Sequence, residues 1–138
     1  MMKKVSVVVV LAIGFIAASF SSDQKDFNAS FQRGKKVYNK VCITCHQSGG
    51  DGVPRMIPPL IKTKIILGAK EKLVQIITKG LNEEVEINGE YYNTPMPAQP
   101  LLTNQEIADV LTYVRNSFGN KASPVTLPEV INIRKKIK

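Results

Sequence analysis

Apolar residues recur at helical spacing in three stretches of the chain, which predict helices over residues 26–39, 69–79 and 103–118. The third is the best signalled, because Thr103 and Glu106 form a capping box just before its apolar stripe. In the first stretch Gly34 lies on the apolar stripe, although glycine costs roughly 1 kcal/mol against alanine in a helix interior. This glycine therefore indicates that another backbone approaches closely at that point.

Between the second and third stretches the period changes from helical to alternating. Asn88-Gly89 stands between two short alternating segments in residues 85–92, which is the strongest short-range signal for a β-hairpin. Beyond the third helix, Thr126 and Glu129 form a second capping box before a segment with a basic end. The pattern leaves open whether this segment is a small docked helix or a frayed tail.

The first residues are typical of a targeting segment. Lys3 and Lys4 precede an uncharged, mostly apolar run that is followed by small residues, as in a secretory signal peptide. We therefore expect a signal peptide over residues 1–21, a single domain over residues 22–120 and a basic C-terminal extension over residues 121–138. The predicted location is exported and periplasmic. The apolar run is short for a membrane span, so an uncleaved membrane anchor is the minority alternative.

The candidate chemistry lies in Cys42-Ile43-Thr44-Cys45-His46, which contains both cysteines and the only histidine of the chain. C-x-x-C-H is the attachment signature of a c-type haem, an iron cofactor. One helical turn brings the two thiols near two vinyl groups of one porphyrin, and the adjacent imidazole reaches the iron.

Three other interpretations of this motif are weaker. A structural zinc site would need a fourth ligand. A thioredoxin-type dithiol would need a βαβ pattern that is absent from the sequence, and a plain disulfide leaves His46 unexplained.

Two further residues complete the predicted haem site. Outside the predicted signal peptide the only methionines are Met56 and Met96, and Met96 is far enough along the chain to reach the opposite face of the haem. We therefore predict Met96, held between two prolines, as the second axial ligand. In the rigid Pro-rich segment after the motif, we predict that the Pro58 carbonyl accepts a hydrogen bond from the Nδ1–H group of His46 and so orients its ring.

These ligands should surround an apolar pocket between Cys42, His46 and Met96. Its predicted lining comprises Leu60, Leu67, Leu73, Val74, Ile77, Tyr91, Tyr92 and residues near Leu101. Arg55 has two interpretations, as a partner of a haem propionate or as an exposed loop residue.

The formal net charge of +8 fits nucleic acid, an anionic membrane or an acidic protein as a partner. No basic cluster is interleaved with aromatic residues as in a nucleic-acid surface, and the chain is predicted to be exported, so we expect no nucleic acid. Membrane association is expected only if the N-terminal run is uncleaved.

Together these motifs resemble the class I, single-haem cytochromes c over about residues 27–120. In that family a glycine and an aromatic residue precede the haem motif, as Gly34 and Tyr38 do here. A P-x-L segment follows it, as in residues 58–60, and the distal methionine precedes a helix that bears an aromatic residue, as Tyr113 does. Gln47 departs from the pattern, because a glycine often follows the histidine.

The resemblance implies an all-α cytochrome c fold, with three to four helices around one covalently bound haem c and a short β-hairpin before the methionine loop. The hairpin and the T-P-M-P segment are similar to bacterial periplasmic cytochromes that serve dehydrogenases or copper nitrite reductases. The implied function is one-electron transfer without catalysis, to redox proteins with an acidic docking face. Two alternatives stay open: an electron-transfer subunit of a larger oxidoreductase, and a haem enzyme or gas sensor if Met96 does not bind iron.

Overall fold

The computed structural model describes residues 23–137. The predicted signal peptide lies outside the described residues, so that assignment stays a prediction. Within residues 23–137 no helix combines the length and the apolar character needed to cross a membrane. The described fold is mainly helical with one two-stranded hairpin, as the sequence predicts.

Helix α1 covers residues 23–37 and continues into a π-helical turn, Tyr38–Cys42, and a last turn, α2, Ile43–His46. The predicted first helix is therefore confirmed, but the helical path extends through the whole C-x-x-C-H motif. It stops at Gln47, whose φ of 63° and ψ of 166° are not helical. Since the path is helical up to this point, His46 becomes the last helical residue before the Gly-rich loop.

Helix α5, Asn104–Arg115, packs across α1 at Gly34. A Cβ atom at Gly34 would collide with the backbone carbonyl of Asp109, so the close backbone approach expected there is confirmed. The predicted capping box also forms: the Glu106 N–H donates to Thr103 Oγ1 at 3.2 Å, and the Thr103 N–H donates to the Glu106 carboxylate at 2.9 Å.

Helix α4, Lys70–Lys79, matches the predicted second helix and ends at Gly80, whose φ is 80°. It is preceded by a single helical turn, α3, Lys64–Leu67, which the sequence pattern does not predict. The side chain of Arg115 caps the C-terminal end of α3: its Nη1 donates to the carbonyls of Ile66 at 2.7 Å and Gly68 at 3.0 Å.

The predicted hairpin consists of β1, Val85–Ile87, and β2, Glu90–Tyr92, which pair in antiparallel register. Asn88 and Gly89 both have positive φ, 55° and 85°, as a two-residue type I′ turn requires. The hairpin packs against the rest of the molecule through the buried residues Ile87 and Tyr92.

Helix α6, Leu127–Lys136, opens at the second predicted capping box and packs on α4 and α5. Val130 is fully buried in the core, and Glu129 forms an ion pair of 2.7 Å with Lys70 on α4. Of the two alternatives for this segment, the docked helix is correct. The long helices α1, α4, α5 and α6 make up the three to four that were expected, and α2 and α3 are single turns.

Candidate haem site

An open apolar cavity lies between α2, α4, α5, the hairpin and the Pro-rich segment. Cys42, His46, Pro58 and Met96 all contribute to its lining. The hydrocarbon part of the lining consists of Leu60, Ile65, Ile66, Leu73, Ile76, Ile77, Leu81, Val85, Ile87, Val110, Leu111 and Val114.

The predicted lining was right for Leu60, Leu73 and Ile77 and wrong for the other residues named. Val74 is fully buried on the core side of α4, whereas Tyr91 is 63% exposed and Leu101 is 94% exposed. The hairpin lines the cavity with Val85 and Ile87 of β1. Tyr91 lies opposite Glu86 on the exposed face, because alternate residues of a strand face opposite sides. Tyr92 lies opposite Val85 and is buried, but it is not part of the lining, and Leu67 is exposed at the end of α3.

His46 is buried at the end of α2, and its Nδ1 lies 3.2 Å from the carbonyl oxygen of Pro58. With the proton on Nδ1, this nitrogen donates to Pro58 and Nε2 keeps its lone pair for a metal. Burial lowers the pKa of His46, although the hydrogen bond to Pro58 acts in the opposite direction. Burial therefore favours the neutral ring, which is the form that ligates a metal.

The two cysteines occupy different environments. Cys42 lines the cavity, whereas Cys45 is exposed on the next helical turn. Burial, followed by the nearby Cys45 thiol, raises the pKa of Cys42 to about 11. A redox dithiol needs a thiol whose pKa is depressed, so the environment of Cys42 argues against the thioredoxin-type alternative.

Met96 lines the cavity from the segment after the hairpin, while Met56 is 56% exposed and lies outside the lining. The backbone of Met96 pairs with Leu81 through two hydrogen bonds of 2.9 Å. The flanking prolines are therefore not the only constraint on this residue, because a backbone pair just beyond the end of α4 also holds it. Gly80 permits this contact, since a Cβ there would meet the Met96 carbonyl.

Sequence reasoning missed the contributions of Tyr38 and α3 to the site. Tyr38 is fully buried in the lining, its hydroxyl donates to the Gln47 carbonyl at 2.6 Å, and burial raises its pKa. Thr63 and the isoleucines of α3 line the same cavity. A threonine cap before a short apolar run was the one available signal for α3, and its Oγ1 accepts from the Ile66 N–H at 3.2 Å.

The arrangement fits a flat, largely hydrocarbon cofactor with one metal. The cavity offers one imidazole, one thioether and one thiol among apolar walls. Within residues 23–137 no cluster of three or more His, Cys, Asp or Glu side chains could hold a metal ion. The described residues therefore lack the ligand set of the zinc alternative, and Arg55 is an exposed loop residue outside the lining.

Comparisons with known proteins agree with this geometry. The family model of cytochrome c matches residues 31–118. Cytochrome c-552 of Thermus thermophilus is 33% identical over 112 residues, which cover 75% of this chain and 85% of that protein.

Two other relatives are larger proteins. The cytochrome c subunit of the quinone alcohol dehydrogenase of Gluconacetobacter polyoxogenes is 34% identical over 110 residues, or 78% of this chain and 23% of that subunit. The cytochrome c subunit of gluconate 2-dehydrogenase of Pantoea cypripedii is 30% identical over 108 residues, or 75% of this chain and 24% of the subunit. The chain belongs to the cytochrome c family, whose members carry covalently attached haem c and transfer electrons.

Proposed function

We propose that this chain is a one-electron carrier with His46 and Met96 as the axial ligands of a haem attached through Cys42 and Cys45. The observation that carries the proposal is that His46 and Met96 line the same apolar cavity, whereas Met56 is exposed. Haem c supplies a one-electron iron couple, and His/Met ligation raises its potential relative to bis-histidine ligation.

Contacts within the protein itself orient His46 and position Met96. The Pro58 carbonyl accepts a hydrogen bond from the Nδ1–H group of His46, which fixes the tautomer and makes Nε2 a stronger ligand for a metal. The backbone pair with Leu81 fixes the position from which Met96 extends into the cavity. Hydrocarbon walls keep water away from both groups, so little reorganisation accompanies a change of charge inside.

A catalytic role has less support than a carrier role. The chain has a single histidine, and in this proposal it is occupied as a ligand, so no second imidazole can act as a distal acid or base. The haem enzyme or gas sensor alternative would require that Met96 leaves the sixth position open. The occupant of that position therefore distinguishes the two functions.

Partners of this carrier would be other redox proteins, and the relatives that are dehydrogenase subunits support this class of partner. The similarity to cytochrome c-552 over most of both chains supports a free carrier, and the dehydrogenase subunits support the alternative of a fixed subunit. We propose an exported location, on the basis of the predicted signal peptide.

The docking surface that we propose is the groove between α1 and the residues after Met96. Lys40 and Leu101 line this groove, and Leu101 is 94% exposed. Exposed Lys36 precedes Lys40 by one helical turn, which brings it toward the same face. The charge of Arg33 is paired with Asp109 at 2.7 Å, and Glu106 also lines the groove. An apolar contact bordered by positive charge suits a brief encounter with an acidic protein.

The ligand assignment is tested by replacing each methionine in the holoprotein. Ferric haem with methionine sulfur as a ligand has a weak far-red absorption band. We expect the band in the wild type and in Met56→Ala, and its loss in Met96→Ala with the haem still attached. A band that persists in Met96→Ala, or is absent from the wild type, would contradict the proposed ligation and favour the open-iron alternative.

A further inference from the structure

We propose that Arg134 on α6 is a positioning residue that keeps Met96 seated in the cavity. It ties α6 to the end of the methionine loop, defined here as residues 93–103 between β2 and α5. This inference rests on the proposed ligation by Met96 and goes beyond it, because it assigns a role in ligand retention to a helix outside the matched family region.

The first half of the methionine loop is attached to α4 and to the residue that follows its end. Met96 exchanges two backbone hydrogen bonds of 2.9 Å with Leu81, and the Gln99 N–H donates to the carbonyl of Ile77 at 2.8 Å. These bonds fix the backbone position of Met96. In the second half of the loop Pro100 and Leu101 are exposed, whereas Leu102 is buried and its N–H donates to the Gln99 carbonyl at 3.3 Å.

The second half of the loop is attached to α6. Nη1 of Arg134 donates to the side-chain oxygen of Asn104 at 2.8 Å and lies 3.4 Å from the carbonyl oxygen of Leu102. One guanidinium therefore contacts both sides of the junction between the methionine loop and α5. A hydrogen bond from a charged donor is stronger than one between neutral groups.

Helix α6 is itself firmly placed against α4, the helix that holds the first half of the loop. Val130 is fully buried, and Glu129 pairs with Lys70 at the start of α4 at 2.7 Å. The loop is thus held at one end by the C-terminal end of α4 and at the other by the burial of Leu102 and its contact with α6, which packs on α4. Displacement of Met96 from the cavity requires the loop to move relative to one of these supports.

This arrangement has a measurable consequence for ligand exchange. An added ligand such as imidazole can take the place of Met96 only in molecules whose loop has opened, so its apparent affinity is proportional to the open fraction. Loss of the Arg134 contacts should raise the open fraction. We expect the apparent affinity for imidazole to rise about three- to tenfold in Arg134→Ala.

The experiment compares four variants of the holoprotein with the wild type. Arg134→Ala removes the contact, and Arg134→Lys keeps the charge and one donor, so it should restore part of the effect. Lys135→Ala removes the neighbouring exposed charge. Glu129→Gln weakens the docking of α6 at its other end. For each variant, imidazole titration of the ferric protein, the unfolding free energy and amide exchange at Leu81, Met96 and Leu102 are measured.

The expected result is a rise in imidazole affinity and faster amide exchange at the loop in Arg134→Ala, with wild-type behaviour in Lys135→Ala. Glu129→Gln weakens the support of α6 at its other end, so it should lower the unfolding free energy and raise the imidazole affinity less than Arg134→Ala does. An unchanged Arg134→Ala protein, or an equal rise in Lys135→Ala, would overturn the positioning role. If the wild type lacks the far-red band, the ligation proposal fails, and amide exchange at the loop still decides whether Arg134 holds it.

Discussion

Gln47 holds a backbone conformation that suits glycine. Its φ of 63° and ψ of 166° fall in a region occupied almost only by glycine, at a cost of about 1–3 kcal/mol for other residues. The residue directly follows His46, and its carbonyl accepts the Tyr38 hydroxyl at 2.6 Å. This conformation ends the helical path immediately after the proposed ligand, at the position where the family often has glycine.

Gln47→Gly should therefore stabilise the protein. Relief of the backbone strain outweighs the extra unfolded-state entropy of glycine, which is about 0.5–1 kcal/mol, so we expect a net gain of about 1 kcal/mol. Denaturant unfolding of the holoprotein measures it. Asn88→Gly is the control, because asparagine tolerates its φ of 55° in the hairpin turn and should gain little. Equal stability of Gln47→Gly and the wild type would show that the strain is absent.

At the scale of elements, α6 is joined to α4 by a partly exposed ion pair. Burial alone would raise the pKa of Glu129, but the Lys70 ammonium and the N–H and hydroxyl of Thr126 outweigh it and lower the pKa below its ordinary value of 4.5. A carboxyl group with a lowered pKa in the folded state contributes stability above the unfolded-state pKa. That contribution is lost as the pH falls through the folded-state value.

Glu129→Gln should consequently cost about 0.5 kcal/mol at neutral pH, since 40% of the Glu129 side chain is exposed and solvent screens the pair. The difference from the wild type should shrink once the pH is well below 4.5. Chemical denaturation at several pH values measures this, with Glu90→Gln on β2 as an exposed control. A difference that stays constant across this range would mean that the ion pair does not stabilise α6.

The elements also explain how far the sequence could predict the fold. Helices α4 and α5 and the hairpin were predictable because their caps and turns lie inside or beside them. The turn α3 was missed because four residues carry no period, and it depends on Arg115, whose contacts join residues 47 and 49 positions apart. Cys42, His46 and Met96 could be named from their chemistry. The wall around them could be named only in part, as Leu60, Leu73 and Ile77, since packing decides which face of a strand or helix meets the cavity.

At the scale of the whole molecule, the exposed charges are unevenly distributed. Four exposed glutamates lie on or just before the hairpin, one of which, Glu83, pairs with Lys72 at 3.5 Å. Exposed basic residues follow one another along α1 and into the π-helical turn that contains Lys40. This uneven distribution gives the molecule a preferred orientation in the field of a charged partner. An acidic partner should therefore approach the groove beside Lys40 rather than the hairpin.

Lys40→Glu should lower the second-order rate constant for electron transfer to a strongly acidic copper protein at low salt, by about tenfold, and the effect should fade at high ionic strength. Stopped-flow oxidation of the reduced protein measures the rate. Lys25→Glu makes the same charge change on the same helix, about 20 Å away, and should have a smaller effect. Equal effects of the two variants would argue against a docking site at the groove.

The central claim, that Met96 and His46 are the two axial ligands, is tested most directly by a proton NMR spectrum of the reduced holoprotein. A methionine methyl group bound to ferrous haem lies over the porphyrin ring, and the ring current shifts its resonance far upfield of all other protein signals. We predict one such methyl resonance in the wild type and in Met56→Ala, and none in Met96→Ala. Absence of this resonance from the wild-type spectrum, or its loss in Met56→Ala instead, would contradict the account.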